Sequence, residues 1–217
     1  VKGPETIARD TGRPWIVVSF FTEANGYKPD ALRMITSCER HGLDYFVQGI
    51  QGEGSWIGNV RYKPAFLRSM LALHAGRDIL WIDADGVVQQ YPALVDDLAS
   101  DSKFRRFLLG VHYRAGRELL TNTVFFRNTE ETFAMIDAWI ALTAAMPGTW
   151  EQKTLQLLLG RHPEWAVFPL PAGYSQIFDL MRSAGKPVIE HFQASRRLRR
   201  PTRPISTGSV TPRNIWG

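Results

Sequence analysis

Apolar positions in this 217-residue chain follow two rhythms. The runs WIVVSFFT (15–22), LDYFVQGI (43–50) and DILWIDADGVV (78–88) are short, almost continuously apolar and bounded by turn-forming residues, the pattern of strands covered on both faces. Between them the spacing lengthens. A helix is predicted from Ala31 to Arg40, after the turn-like EANGYKP. Another is predicted over KPAFLRSMLALH, where Phe66, Leu67, Met70, Leu71 and His74 share one face; QGEGSWIGN, just before it, reads as a glycine-rich loop. Strand and helix alternating over the first 90 residues predict crossover connections, and so an α/β fold whose central, mainly parallel sheet is flanked by helices.

The second half is less regular. RRFLLGVHYR (105–114) and LLTNTVFFRN (119–128) are predicted as neighbouring strands. A helix is expected from Thr129 to Met146, with Phe133, Ile136, Ile140 and Ala144 on its apolar face, and another from Trp150 through WEQKTLQLLL. AVFPLP and PVIEHF supply short late strands, and PTRPISTGSVTPRN reads as proline-rich coil. No internal repeat or linker interrupts the pattern.

Composition narrows the classes. With 44% hydrophobic and 22% charged residues, wholesale disorder is excluded. No apolar run is long enough for a membrane span, and no secretory signal is evident. Cys38 is the single cysteine, so no internal disulfide forms and no Cys/His metal cluster is expected; a reducing cytoplasm is the default location. Net charge is +5, but six arginines and no acid lie between Phe192 and Gly217, so that segment carries +6 and the remainder −1. Such a tail suits a phosphate-rich partner, whether nucleic acid, an anionic surface or a substrate diphosphate, or is simply a solvated terminus.

The chemistry gathers at DILWIDADGVV. In an extended segment the Asp83 and Asp85 side chains share a face roughly 7 Å apart, an unfavourable arrangement for two like charges. Either a cation lies between them, or one acid is protonated, or the strand has already ended and both are solvated. Ligands of open α/β sheets collect beyond the carboxyl ends of strands, and two carboxylates suit a hard dication such as Mg²⁺ or Mn²⁺.

On the phrase ILWIDADGVVQQYPALVDDL the chain resembles the GT-A nucleotide-sugar glycosyltransferases, in which a hydrophobic strand ending in D-x-D holds the cation that grips a sugar donor's diphosphate. The resemblance covers about residues 15–197. It implies a domain over 1–197, with a donor half at about 15–100, an acceptor half at about 101–190, and a basic tail at 198–217. It implies Mn²⁺ or Mg²⁺ as cofactor and a nucleoside-diphosphate sugar, a UDP-sugar first, as co-substrate. Ser19, Phe20 and Thr22 would face the nucleoside, Arg61 and Lys63 the donor, and Asp83, Ala84 and Asp85 the cation and diphosphate. Asn122 and Thr123 in LLTNTVFFRN would face the donor sugar or acceptor. WEQKTLQ is similar to a D-Q pair bordering the acceptor, with glutamate replacing aspartate at Glu151 beside Gln152. EHFQASRR places His191 as a third cation ligand and Arg197, six positions on, at the diphosphate, with Arg196 beside it. That arrangement resembles the glycogenin-like, retaining branch, although its lysine-proline-tryptophan ending is replaced by Arg197, Leu198 and Arg199. An inverting enzyme would also need a carboxylate base, for which Glu151 and Asp179 are the candidates.

Other readings compete. DADGV also looks like the first motif of haloacid dehalogenase-like phosphatases, with Asp83 as nucleophile and Asp85 as acid and base, but no later acid pair of the required type follows. A nucleotidyltransferase would want a glycine-rich, arginine-containing loop where FFTEANGY stands. A non-enzymatic nucleic-acid binder is compatible with the arginine tail but lacks an accompanying motif. The tail points instead to the acceptor, as DNA or a polymer at an anionic surface.

Overall fold

The computed structural model describes residues 5–182 and 185–198; most of the basic tail, from 199 onward, lies outside the described residues. In chain order the elements are β1 (Thr6–Arg9), β2 (Trp15–Thr22), α1 (Lys28–Arg40), β3 (Tyr45–Ile50), α2 (Trp56–Arg61), α3 (Lys63–Leu73), β4 (Asp78–Ile82), β5 (Gly86–Val88) and α4 (Ala93–Ser100). They continue with β6 (Leu109–Arg114), β7 (Glu118–Phe126), α5 (Glu130–Ala145), α6 (Glu151–Arg161), β8 (Val167–Pro169), β9 (Gln176–Ile177), β10 (Ile189–His191) and α7 (Ala194–Leu198). The main sheet runs β1-β3-β2-β4-β7-β6-β8, and a small sheet runs β5-β10-β9. β3, β2 and β4 form a parallel centre and β8 is parallel to β6, while β1 and β7 pair antiparallel with their neighbours.

The continuous apolar character of the central strands is explained by helices on both faces. Alternate residues of β2 and β4 point to opposite sides. Trp15, Val17, Leu80 and Ile82 meet Ala31, Met34 and Cys38 of α1 and Val95 and Leu98 of α4. Ile16, Val18, Ile79 and Trp81 meet Phe66, Leu67 and Leu71 of α3, with Met135, Ile136 and Trp139 of α5 beyond them. Each such side chain contributes about 1.5–3 kcal/mol on full burial.

A polar staple closes the end of the sheet opposite the acid pair. The fully buried Asp44 accepts from Thr11 N (3.0 Å), Thr11 Oγ1 (2.7 Å), Arg13 N (3.0 Å) and Arg77 Nη2 (2.7 Å). Burial opposes its charge, but these donors prevail and hold its pKa below the usual carboxylate value.

Four local expectations change. The stretch 78–88 is two strands, not one: β4 ends at Ile82, the acids occupy a turn closed by Gly86 N to Asp83 O (2.8 Å), and β5 joins β10 instead. Gly86 makes that turn possible, because a Cβ there would lie 2.4 Å from Ile82 Cγ2 and 2.9 Å from His191 Cε1. The loop expected at 51–59 contains the start of α2, where Ser55 Oγ accepts from Gly58 N at 3.0 Å as an N-terminal cap. On α5 the buried face is Thr132, Met135, Ile136, Trp139 and Thr143, while Phe133 and Ile140 are half-buried and Ala144 is exposed. Trp139 sets that rotation, since its Nε1 donates to Glu151 O (3.0 Å) and Thr154 Oγ1 (3.1 Å) on α6. The strand expected from residue 105 begins only at Leu109, after the 3-10 turn Ser102–Phe104 and the loop that follows it.

Candidate active site

The acids sit where the chain leaves β4. Asp83 N donates to Asn122 O on the adjacent β7 (2.8 Å), which fixes the turn to the central sheet. Asp83 Oδ1 accepts from Trp81 Nε1 at 2.8 Å and Lys63 Nζ at 2.9 Å, and 36% of the side chain stays exposed. Asp85 turns the other way: its Oδ1 lies 3.4 Å from His191 Nδ1 and its Oδ2 accepts from Ala194 N at 2.8 Å. The resulting electrostatics separate the pair. Burial, reinforced by the Asp85 charge, raises the Asp83 pKa despite Lys63; at Asp85, burial acts upward too, but His191 and the Ala194 amide outweigh it and lower the pKa.

Lys63 is the hub beneath them. It begins α3 before Pro64, is 4% exposed, and is aimed inward. Its ammonium has three protons and three close acceptors: Asp83 Oδ1 (2.9 Å), Glu151 Oε1 (2.9 Å) and Thr121 O (3.1 Å). Thr121 Oγ1 donates to the same Glu151 oxygen at 2.9 Å. Burial disfavours the charge on Lys63, yet Asp83 and Glu151 together overcome it and raise its pKa. A lysine, two carboxylates, a hydroxyl and an indole thus form one satisfied network from five separate elements or turns.

Above the network opens a cleft of about 360 Å³, within the range of small-molecule sites. Of the residues singled out from sequence, Phe20, Thr22, Lys63, Asp83, Ala84, Asp85, Asn122, Glu151, Gln152 and Arg196 line it. Phe20 meets Tyr62 and Phe66 edge-on and Trp81 at a tilt of 51°, and Thr22 contributes a buried hydroxyl without a hydrogen-bond partner. Asn122 braces the wall, accepting from Ser175 Oγ (2.9 Å) and donating to Ser175 O (3.3 Å).

The others lie elsewhere. Ser19 is fully buried within the sheet. Arg61 does not line the cleft; it donates to Met146 O (2.6 Å) and Thr149 O (3.0 Å), tying α2 to the loop before α6. Thr123 is fully buried and bonds His191 Nε2 at 2.8 Å. Asp179 is held by Arg196 at 2.5 Å and does not line the cleft; Arg197 reaches Asp30 on α1 at 2.5 Å. Trp56, Trp81, Arg114, Glu118, Thr121 and Trp150 line the cleft without having been singled out. The indole of Trp81 was hidden in an apolar run, and only the i, i+2 relation to Asp83 pointed to it.

Two carboxylates and an imidazole are a donor set suited to Mn²⁺ or Mg²⁺. The fit is good for Asp83, whose carboxylate is partly open to the cleft. Asp85 adds the second carboxylate at the cleft wall. His191 engages both ring nitrogens, with Asp85 and Thr123, and would join a shell only by giving one up. Among the described residues no three His, Cys, Asp or Glu side chains are gathered tightly enough to form a ready-made metal cage. Among them, too, no helix is long and apolar enough to cross a membrane.

No protein-family model and no curated sequence matches the chain. Solved structures do. A glycosyltransferase involved in the glycosylation of the major capsid of PBCV-1 superposes with a TM-score of 0.66 at 16% identity, over 85% of this chain and 96% of that one. The apo form of the glycosyltransferase GlyE of Streptococcus pneumoniae TIGR4 gives 0.56 at 15% identity over 82% of this chain, which spans 54% of that protein. The galactosyltransferase LgtC, solved with donor and acceptor sugar analogs, gives 0.52 at 10% identity over 82% and 87% of the two chains. At these identities the likeness establishes the architecture, and that architecture is the GT-A glycosyltransferase fold.

Proposed function

We propose that this protein is a metal-dependent glycosyltransferase that moves a sugar from a nucleoside diphosphate, a UDP-sugar first, to an acceptor hydroxyl. The observation that carries the reading is the acid turn at the carboxyl end of β4, opening into a cleft whose walls combine aromatic rings with a cationic side chain, Arg196, from α7. The glycosyltransferase fold supports it.

In this reading Asp83 and Asp85 hold the dication, with His191 at their side. When bound, the ion neutralises charge on the departing diphosphate. The residues of the chain prepare for this. His191 and the Ala194 amide keep Asp85 ionised, and Trp81 with Lys63 fixes one oxygen of Asp83 so that the remaining face of the carboxylate points to ligand. Arg196 lies at the cleft wall and reaches phosphate by exchanging its Asp179 partner for a phosphate oxygen. The buried Thr22 hydroxyl offers a hydrogen bond to the nucleoside.

The four acids lining the cleft are all engaged: Asp83 and Glu151 by Lys63, Asp85 by His191 and a backbone amide, Glu118 by Arg114. That arrangement favours retention over inversion, because a general base needs an unencumbered carboxylate near the acceptor. The sugar–diphosphate bond breaks, the acceptor oxygen bonds the same face of the sugar carbon, and its proton passes to the leaving diphosphate oxygen. Glu151, 3% exposed and bound by Lys63 and Thr121, acts as a positioning residue for the lysine. The test is turnover of UDP-glucose and UDP-galactose with Mn²⁺, with Mg²⁺ and with EDTA. Turnover only with metal, lost in Asp85→Asn, supports the reading; turnover in EDTA, or undiminished in that variant, refutes it.

A further inference from the structure

The mouth of the cleft is built differently from its floor. Trp56 is the first residue of α2, and Trp150 immediately precedes α6. Their rings meet edge-to-face with centroids 6.1 Å apart and planes at 65°, and both half-buried indoles line the cleft. Arg61 fixes this geometry by clasping Met146 O and Thr149 O, so the two helix starts cannot drift apart without breaking both hydrogen bonds. Beside the rings, Glu118 is gripped by the guanidinium of Arg114 and approached by Gln152 Nε2 at 3.4 Å, and all three side chains line the cleft.

Flat apolar faces beside planar hydrogen-bonding groups are complementary to a pyranose, which has C–H faces and a rim of hydroxyls. They are a poor match to a polyanion. Four carboxylates and three cations line the cleft, and one of those cations, Arg114, is already neutralised by Glu118; Lys153, which does not line the cleft, holds its ammonium 4.9 Å from the centroid of the Trp150 ring. We infer that the Trp56–Trp150 rim, with Arg114, Glu118 and Gln152, is the acceptor subsite, and that the acceptor is a neutral carbohydrate rather than DNA or another polyphosphate. This rests on the glycosyltransferase reading and gives it a substrate class.

The experiment uses the full chain and saturation-transfer NMR with methyl glucoside, galactoside and mannoside as probes. Oligothymidylate is the polyanionic control, and UDP with Mn²⁺ is titrated separately. The inference expects at least one glycoside to receive saturation on its ring C–H protons. Its affinity should fall about tenfold in Trp150→Ala and in Trp56→Ala and be largely kept in Trp150→Phe, which retains a flat ring. Circular dichroism and thermal unfolding confirm that each variant is folded. Binding of oligothymidylate alone, glycoside binding equal in wild type and both alanine variants, or no glycoside binding while UDP binds would each overturn the subsite and leave the donor reading standing. Failure of both glycoside and UDP binding would overturn both.

Discussion

Replacing Lys63 with alanine probes the hub on which the site is built. The ammonium stands 2.9 Å from carboxylates of both Asp83 and Glu151 while 4% exposed. At that separation each pair has a gross attraction of about 6 kcal/mol in a medium of effective dielectric ~20. Desolvation of the lysine and Glu151 cancels much of this, and water screens the Asp83 pair, whose acid is 36% exposed. Removing one partner, however, leaves Glu151 buried with its charge uncompensated, and the expected loss is about 3–5 kcal/mol. The loss should depend on pH. Lys63 has a raised pKa, so its contribution is fully present below the ordinary lysine value of 10.5 and is constant through neutrality. In the variant, Asp83 loses the cation that most restrains its pKa, which then climbs further above 3.8. A carboxyl raised in the folded state loses stability as pH rises through its folded pKa, so the deficit should be larger near pH ~8 than near pH ~5. Urea unfolding of wild type, Lys63→Ala and Lys63→Ala/Glu151→Gln at both values measures it. The double variant should recover part of the loss. A single variant within about 1 kcal/mol of wild type at both pH values would refute the hub, since that is the scale of a screened surface pair.

Asp44→Asn should cost about 3 kcal/mol, because Arg77 loses a buried partner. Since the Asp44 pKa is lowered, its stabilisation is present above 3.8 and lost as pH falls through the folded value, so thermal unfolding across pH should show the wild-type advantage vanish in acid. Gly86→Ala should lose about 1–3 kcal/mol in denaturant unfolding and reduce turnover with it, as the new Cβ collides with Ile82 and His191 behind the acid turn. Arg61→Gln should leave Mn²⁺-dependent UDP binding within about twofold by calorimetry while speeding amide exchange in α2, because the arginine latches that helix to residues 146 and 149 rather than contacting donor.

The fold was legible where apolar periodicity was unambiguous. β2, α1, β3 and α3 fall within a few residues of their expected positions because both faces of the sheet are covered and each element's burial repeats locally. What stayed hidden was set by tertiary contact. The break after Ile82 depends on His191 packing behind Gly86, more than a hundred residues away, and no local pattern encodes it. β1 and β9 are too short, at four and two residues, to leave a period. At the site, the charged motif residues Asp83, Asp85 and Lys63 announced themselves, whereas Trp56 and Trp150 read as ordinary aromatics until the fold set their rings side by side. Arg61 shows the opposite failure: an arginine beside a donor motif invited a ligand role, and its partners are two carbonyls.

Diffraction from crystals soaked with Mn²⁺ and UDP, read at the manganese absorption edge, tests the central claim most directly. The account predicts one anomalous peak bridging the diphosphate to Asp83 and Asp85. An anomalous map with nothing beside those carboxylates, and UDP bound away from the cleft, would contradict it.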